Sequence, residues 1–262
     1  MAKGSLKGSI VLALLLLASS GLAHARHGRD SFSEEFHHTY TLDARGRVSL
    51  ENVNGDVRVA TWDRDEIKID AVKFARSQDR LADIEIKVDA RPEAIHIKTR
   101  YPEHLFHDDA GGVDYTLTVP RHACLDHVEL VNGGLEIEQL AGDVKASLVN
   151  GSVAARELGG RVEISTVNGR LEVTVGSPEL AGPVELSSVN GAIVLDLPAD
   201  INAKLRASTV TGGISNDFEV AVHHNWVVGH NLEGELGRGG AEIRLSDVNG
   251  HISIRHSRQV TN

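Results

Sequence analysis

The tripeptide Val-Asn-Gly occurs six times in this chain, and this repetition constrains the fold more than any other feature. The copies begin at Val53, Val131, Val149, Val167, Val189 and Val248. A seventh, variant copy reads Val210-Thr211-Gly212. From Val131 onward the copies follow at intervals of 18, 18, 22, 21 and 38 residues, and the last interval is about twice the others. A period near 20 residues is typical of chains that stack one supersecondary unit on the next.

Each unit is predicted to consist of a strand, a corner and a second strand. Apolar residues recur two and four places after the glycines, as in Leu171/Val173 and Ile252/Ile254. This alternation is the period of a strand with one buried face. Asn and Gly tolerate the positive φ angles of sharp corners, so each tripeptide predicts a structural corner. The corner residues are Asn54, Gly55, Asn132, Gly133, Asn150, Gly151, Asn168, Gly169, Asn190, Gly191, Asn249 and Gly250.

Two arrangements of these units are compatible with the pattern. Asn-Gly between alternating strands is the strongest short signal for a β-hairpin, so a meander of hairpins is one alternative. The regular period favours the other, a coil of stacked rungs in which equivalent residues line up along the axis. We therefore predict an all-β fold, a β-solenoid-like stack of short strands with Val-Asn-Gly corners, preceded by a less regular β region. Ladders of asparagine and of serine are expected along the stack.

The N-terminus has the pattern of a secretory signal peptide. Lys3 and Lys7 precede an uncharged apolar run, and small residues lead to Ala23-His24-Ala25. This pattern predicts a protein that is periplasmic or secreted. No later segment has the roughly 20 apolar residues of a membrane-spanning helix, so no membrane span is expected. The predicted organisation is a signal peptide at 1–25, a flexible linker at 26–35, an N-terminal β region at 36–125 and a β-repeat region at 126–262, the last two forming one continuous domain.

Helix content is expected to be minor. The region before the stacked repeats still alternates apolar and polar residues, as in Ile84-Glu85-Ile86-Lys87-Val88, which predicts strands. One short helix is predicted around Ser77 to Asp83, with the Ser77 side chain capping its first turn.

Charge and cysteine content exclude several classes of protein. Without residues 1–25, the chain has a net charge of −12, which disfavours binding to nucleic acid and to anionic lipid headgroups. The single cysteine, Cys124, cannot form an intrachain disulfide, so packing and backbone pairing must supply the stability.

Several motifs together resemble a known family, the bacterial putative-adhesin domain of unknown function, a toast-rack-like β-repeat family. The motifs are Asn52-Val53-Asn54-Gly55-Asp56-Val57, Val113-Asp114-Tyr115-Thr116-Leu117-Thr118-Val119-Pro120, the stacked Val-Asn-Gly units, and Gly237-Arg238-Gly239-Gly240-Ala241-Glu242-Ile243 before the last unit. The resemblance covers most of the chain after the signal peptide. It implies an extracytoplasmic β-rich module, associated with envelope-stress systems and presumed adhesion, and it implies no catalytic residues.

A histidine-rich loop is the best metal candidate of the sequence. His104, His107, Asp108 and Asp109 lie together between Pro102 and Gly111-Gly112. Structural zinc sites normally add a second ligand pair at fixed spacing. His122 and His127 follow, but nothing in the sequence places them near the loop. We therefore predict a solvated polar loop, with no metal and no cofactor.

Catalysis is not expected either. The chain contains no Gly-x-Ser-x-Gly motif, and the repeated serines occupy a repeated structural position. The alternative function is a carbohydrate-active β-helix enzyme, in which carboxylates of adjacent rungs flank a glycosidic bond of a polysaccharide. The candidates would be Glu136, Glu163, Glu172, Glu185 and Glu242. A solvated strand face explains these residues equally well, so the sequence predicts an exported, non-catalytic module for binding, adhesion or scaffolding.

The partner is predicted to be an envelope protein or a glycan, with self-association through the ends of the solenoid as a further possibility. One segment could contain a binding residue. Between Asn216 and Gly237 the repeat skips a copy, and Trp226 lies among three histidines. This segment is predicted to form a rung without the tripeptide. The alternative is a projecting loop that exposes Trp226 as a stacking platform.

Overall fold

The computed structural model describes residues 32–101, 111–224 and 229–257. Eight elements precede the stacked repeats: β1 (Phe32–Thr41), β2 (Arg47–Asn54), β3 (Val57–Trp62), β4 (Glu66–Ala75), α1 (Gln78–Asp83), β5 (Glu85–Arg91), β6 (Ala94–Arg100) and β7 (Gly112–Pro120). The next eight strands are β8 (Cys124–Asn132), β9 (Leu135–Glu138), β10 (Val144–Asn150), β11 (Val153–Leu158), β12 (Val162–Asn168), β13 (Leu171–Val175), β14 (Val184–Asn190) and β15 (Ile193–Leu197). The last six are β16 (Ala203–Thr211), β17 (Ile214–Asn216), β18 (Val222–His224), β19 (His230–Leu236), β20 (Ala241–Asn249) and β21 (Ile252–His256).

These strands form two large sheets, which confirms the all-β prediction. Sheet A has the order β1-β4-β7-β3-β9-β11-β13-β15-β21-β17, and sheet B has the order β18-β19-β16-β20-β14-β12-β10-β8-β2-β6-β5. Every Val-Asn-Gly corner leads from a strand of sheet B to a strand of sheet A. Such a strand, corner and strand is called a rung below.

Adjacent rungs pair in parallel and in register, so the repeats form a stack rather than a hairpin meander. Asn150 pairs with Asn168, Asn168 with Asn190, and Asn190 with Asn249. Antiparallel pairing occurs only toward the two ends of the described sheets, between β1, β4 and β7, between β5 and β6, and between β16, β19 and β18.

The core lies between the two sheets and is aliphatic. Alternate residues of each rung point inward, for example Val162 and Ile164 on β12 and Leu171 and Val173 on β13, all of which are buried. This alternation follows the period of two expected of strands with one buried face.

The predicted helix is confirmed, whereas part of the predicted linker is wrong. The helix α1 begins after Ser77, whose Oγ accepts a hydrogen bond from the amide of Arg80 at 3.3 Å. Strand β1 begins at Phe32, inside the segment 26–35 assigned to a linker, because residues 32–41 pair with β4 along their whole length.

The order of the last rungs in space differs from their order in the chain. The rung β20–β21 lies between β14–β15 and β16–β17 in both sheets. The chain therefore leaves one rung position open after β15, forms β16–β17 beyond it, and fills the open position with its last two strands.

The long interval before the last tripeptide is also explained. Strands β18 and β19 pair antiparallel and extend sheet B beyond β16. The described part of this segment is therefore neither a complete rung nor a free loop.

The corner glycines are required mainly by contact between rungs. A Cβ on Gly133 would lie 2.0 Å from the carbonyl oxygen of Gly55, and one on Gly151 would lie 1.9 Å from that of Gly133. The same close approach recurs at every later corner of the stack. The expectation of positive φ holds only in part, because φ is 122° at Gly55, 158° at Gly133 and 157° at Gly169, but positive at none of the corner asparagines.

The corner asparagines form a continuous ladder, as predicted. Each Nδ2 donates to the Oδ1 of the asparagine on the preceding rung, at 2.9 Å from Asn132 to Asn54 and at 3.0 Å from Asn249 to Asn190. The bonds in between join Asn150 to Asn132, Asn168 to Asn150 and Asn190 to Asn168. The variant residue Thr211 pairs with Asn249 and stands at the end of this series.

The contact between rungs predicts a difference between two neighbouring glycines. We expect Gly133→Ala to lower the free energy of unfolding by at least about 2 kcal/mol, because its Cβ would overlap a carbonyl group that cannot move independently. Gly134→Ala is the matched control, since a Cβ there meets its nearest atoms at 3.5 Å. Urea denaturation of both variants checks this, and equal destabilisation would contradict the proposed role of the corner.

The ladder predicts a second pair of variants. We expect Asn168→Ala to cost about 1–2 kcal/mol, because it removes two side-chain hydrogen bonds at a corner that water still reaches. Asn168→Asp should be at least as destabilising, since a carboxylate can accept from Asn190 but cannot donate to Oδ1 of Asn150. Thermal melts at neutral pH check both, and an aspartate variant as stable as the wild type would mean that the ladder contributes nothing.

Candidate functional site

The outer face of sheet B carries an exposed column of valines. They are the first residues of the tripeptides, and six of them are about two-fifths to one-half exposed: Val131, Val149, Val167, Val189, Val210 and Val248. Parallel, in-register pairing stacks equivalent residues at about 4.8 Å intervals. The result is a continuous apolar ridge, and exposed patches of this kind mark interaction sites.

A column of serines runs beside the valines, two residues earlier on each strand. Ser147, Ser165, Ser187 and Ser246 are in register on neighbouring strands. The hydroxyls of Ser147 and Ser165 are 3.1 Å apart and hydrogen-bonded, which gives part of the predicted serine ladder. Because serine is small, this column is the low floor next to the valine ridge.

Charged residues stand beyond the serines, again two residues earlier on each strand. Lys145 contacts Glu163 at 2.7 Å, and Arg244 lies 3.7 Å from Glu185. These exposed ion pairs neutralise one another locally. They lie on the far side of the serine column from the valines.

The valine and serine columns line a groove of about 620 Å³ on five consecutive strands, β8, β10, β12, β14 and β20. Four strand spacings give the groove a length of about 19 Å. Its exposed surface is mostly apolar, and five valines and five serines line it, together with Leu130, Leu148, Thr166, Asp247 and, at the end on β8, Glu129. No aromatic side chain is among its described lining residues. We call this feature the valine–serine groove.

The sequence-predicted site residues do not meet at this groove. The corner asparagines and glycines lie beside the valine ridge as structural residues. His104, His107, Asp108, Asp109 and Trp226 lie outside the described residues. Within the described ranges, no three histidine, cysteine or acidic side chains converge on a possible metal position.

The five carboxylates of the carbohydrate-active alternative are scattered rather than gathered in a cleft. Glu136 and Glu172 lie on sheet A, while Glu163, Glu185 and Glu242 lie on sheet B. Each is between about one-third and one-half exposed and lies within 4 Å of an arginine or lysine. Glu163 and Glu185 are register partners on β12 and β14, but they lie on an open strand face and contact Lys145 and Arg244, and the carboxylates on sheet A are too far from them to flank the same glycosidic bond.

Sequence reasoning missed the groove although its signal was present. The valine of each tripeptide lies an odd number of positions after the buried apolar residues of its own strand. Val167, for example, lies three positions after Ile164 and five after Val162. A strict alternation therefore places it on the outer face. The recurrence of valine at an exposed position is the part of the pattern that indicates the groove.

No protein-family model matches this chain, and no curated protein matches it. Solved structures with similarity include a putative cell adhesion protein from Clostridium sporogenes, with 12% sequence identity, a TM-score of 0.49, and coverage of 86% of this chain and 100% of that one. A putative adhesin from Bacteroides fragilis has 13% identity, a TM-score of 0.41, and coverage of 86% and 97%.

A third similar structure is a putative lipid binding protein from Parabacteroides distasonis, with 10% identity, a TM-score of 0.33, and coverage of 88% and 98%. Because all three TM-scores are below 0.5, the fold and the site rest on the strands and contacts of this chain itself.

Proposed function

We propose that this protein is a non-catalytic binding module of the cell envelope, and that the valine–serine groove holds one acyl chain of an envelope amphiphile. The observation that carries the proposal is the exposed valine ridge, which six in-register repeats maintain on an otherwise polar sheet face. The occupant is inferred from the size of the groove, from its mostly apolar surface and from the backbone groups of sheet B, which are already paired between strands.

The groove is too small for a second copy of the chain. Its two columns are about 7 Å apart along the strands, so its footprint is about 130 Å². Stable protein interfaces bury about 800 Å² on each partner. A narrow, elongated ligand fits the dimensions better.

An extended peptide or a glycan is less suitable than an acyl chain. A peptide in this groove would bury its own amides against an apolar ridge, because the backbone groups of sheet B already pair between strands. A glycan is usually stacked on an aromatic ring, and the described lining residues contain none. An acyl chain has no polar groups to satisfy and gains from every buried methylene.

The expected affinity is modest. A chain of about 15 carbons, at about 1.25 Å per carbon, spans the groove. Half-burial of each methylene contributes about 0.4 kcal/mol, or about 6 kcal/mol in all. This corresponds to a dissociation constant of tens to hundreds of micromolar, which is suited to reversible contact with a lipid or a lipid-modified molecule.

The envelope location in this proposal is supported by the N-terminal sequence. The described residues contain no helix that is long and apolar enough to cross a membrane. We expect cleavage between Ala25 and Arg26 on export. The intact mass of the exported protein checks this, and retention of residues 1–25 would contradict an envelope location.

The groove is tested with a fluorescent fatty acid that is displaced by unlabelled fatty acids of about 8 to about 16 carbons. We expect the affinity to rise with chain length until the chain fills the groove, and Val167→Asp to weaken binding at least about tenfold, because it places a charge at the centre of the ridge. Val210→Asp is the matched control. It changes the same position of the repeat at greater exposure, outside the groove lining.

Thermal melts of both variants separate loss of binding from loss of folding. Affinity that does not depend on chain length, or equal effects of the two substitutions, would contradict the proposal. Sedimentation that shows a wild-type dimer dissociated by Val167→Asp would overturn it in favour of a second copy as the occupant.

A further inference from the structure

One carboxyl group is enclosed in the interior of the stack. Asp247 lies on β20, in the inserted rung, and is 4% exposed. Neither of its carboxyl oxygens has a hydrogen-bond partner. An ionised carboxylate without a partner is among the most costly groups to bury in a protein.

Asp247 belongs to an inward-facing column two residues before the corner asparagines. In this column, the hydroxyl of Thr166 donates to the carbonyl oxygen of Gly151 at 3.1 Å, and that of Thr209 donates to the carbonyl oxygen of Gly250 at 3.3 Å. In both cases a side chain satisfies the glycine carbonyl of the neighbouring corner. Asp247 stands in register between Ser188 and Thr209.

The equivalent carbonyl for Asp247 is that of Gly191. The Gly191 oxygen and Oδ2 of Asp247 lie 1.7 Å and 2.2 Å from the point that a Cβ on Gly250 would occupy, so the two oxygens are less than 4 Å apart. Two acceptors face each other at this distance if the carboxyl group is ionised. A protonated carboxyl group would instead donate, as the threonines do.

No described charged group compensates Asp247 from inside the stack. Ser188 and Thr209 flank it, and the opposite strands of sheet A present aliphatic side chains, among them Ile193, Ile252 and Ile214. The charged and titratable groups of the strands around it point outward or lie in the exposed corner: Glu185, Asp196, Lys204, Arg206, Glu242, Arg244, His251, Arg255 and His256.

We infer that Asp247 is held as a neutral acid whose Oδ2 donates to the carbonyl oxygen of Gly191, and that its ionisation loosens the inserted rung β20–β21. The strand β20 also contributes Ser246 and Val248 to the groove, but the proton on Asp247 is inferred from contacts inside the stack and not from a ligand of the groove. The rung β20–β21 is therefore held in place while Asp247 is protonated and loosens when Asp247 loses its proton.

The direction of the pH dependence follows from the environment. Burial raises the pKa of Asp247, and this is the largest effect. The amides of Val248 and Asn249 lie near enough to lower the pKa, but they are not aligned to donate hydrogen bonds to the carboxyl oxygens. The stabilising contribution is therefore complete below the unfolded-state pKa of about 3.9, and it is lost as the pH rises through the folded-state pKa.

The test compares urea unfolding of the wild type and Asp247→Asn from about pH 4 to about pH 9. Asparagine keeps the shape and can donate to Gly191 at every pH. We expect the unfolding equilibrium constant of the wild type to rise relative to the variant as the pH rises, about tenfold for each unit by which folding raises the pKa. Asp200→Asn, at an exposed turn residue, is the control and should show no such trend.

A second measurement holds even if Asp247→Asn folds poorly. The carboxyl carbon-13 shift of Asp247 in the wild type should titrate above the ordinary aspartate range, and amide exchange in β20 should accelerate over the same pH interval. A carboxyl group already ionised at pH 5, or a pH-independent difference between wild type and variant, would overturn the inference. Stabilisation of the wild type alone by added Ca²⁺ or Na⁺ would also overturn it, by showing that a cation occupies the site.

Discussion

Parallel, in-register pairing of short strands is the constraint on which the rest of this structure depends. It turns each position of the repeat into a column that runs along the axis at about 4.8 Å per rung. Each residue of a column therefore contacts the equivalent residue on the next rung, so the residue type at that position must be able to pack or pair with its own kind. Glycine is needed where the backbones of adjacent corners approach within the space of a Cβ, and asparagine is favoured where a side chain must donate to one rung and accept from the other.

The asparagine ladder also gives a physical reason for the inserted rung. Threonine has one hydroxyl and cannot replace an amide that donates and accepts at separate atoms. If β16–β17 followed β14–β15 directly, Thr211 would interrupt the ladder. With β20–β21 inserted, Asn249 bonds to Asn190 and Thr211 stands at the end. The rung that cannot continue the ladder therefore terminates it.

Much of the architecture could be predicted from the sequence, because the repeat encodes local geometry. The corners, the alternation of buried residues, the ladders and the cap of α1 by Ser77 all follow from short-range patterns. The rung order could not be predicted from spacing, since an interval of 38 residues fits a missing unit as well as an excursion of the chain. Thr211 indicates the rung order, because it cannot continue the asparagine ladder. This can be inferred only if the ladder and its register are already known.

The groove and the inserted rung depend on the same assembly step. The valine ridge is continuous from Val189 to Val210 only because β20–β21 lies between β14–β15 and β16–β17, which places Val248 between the two valines. Strands β20 and β21 pair with segments that lie far from them along the chain, a kind of contact that forms slowly. Asp247 is placed in the rung that completes the stack. A proton at this carboxyl group would therefore influence both the stability of the inserted rung and the length of the exposed apolar ridge.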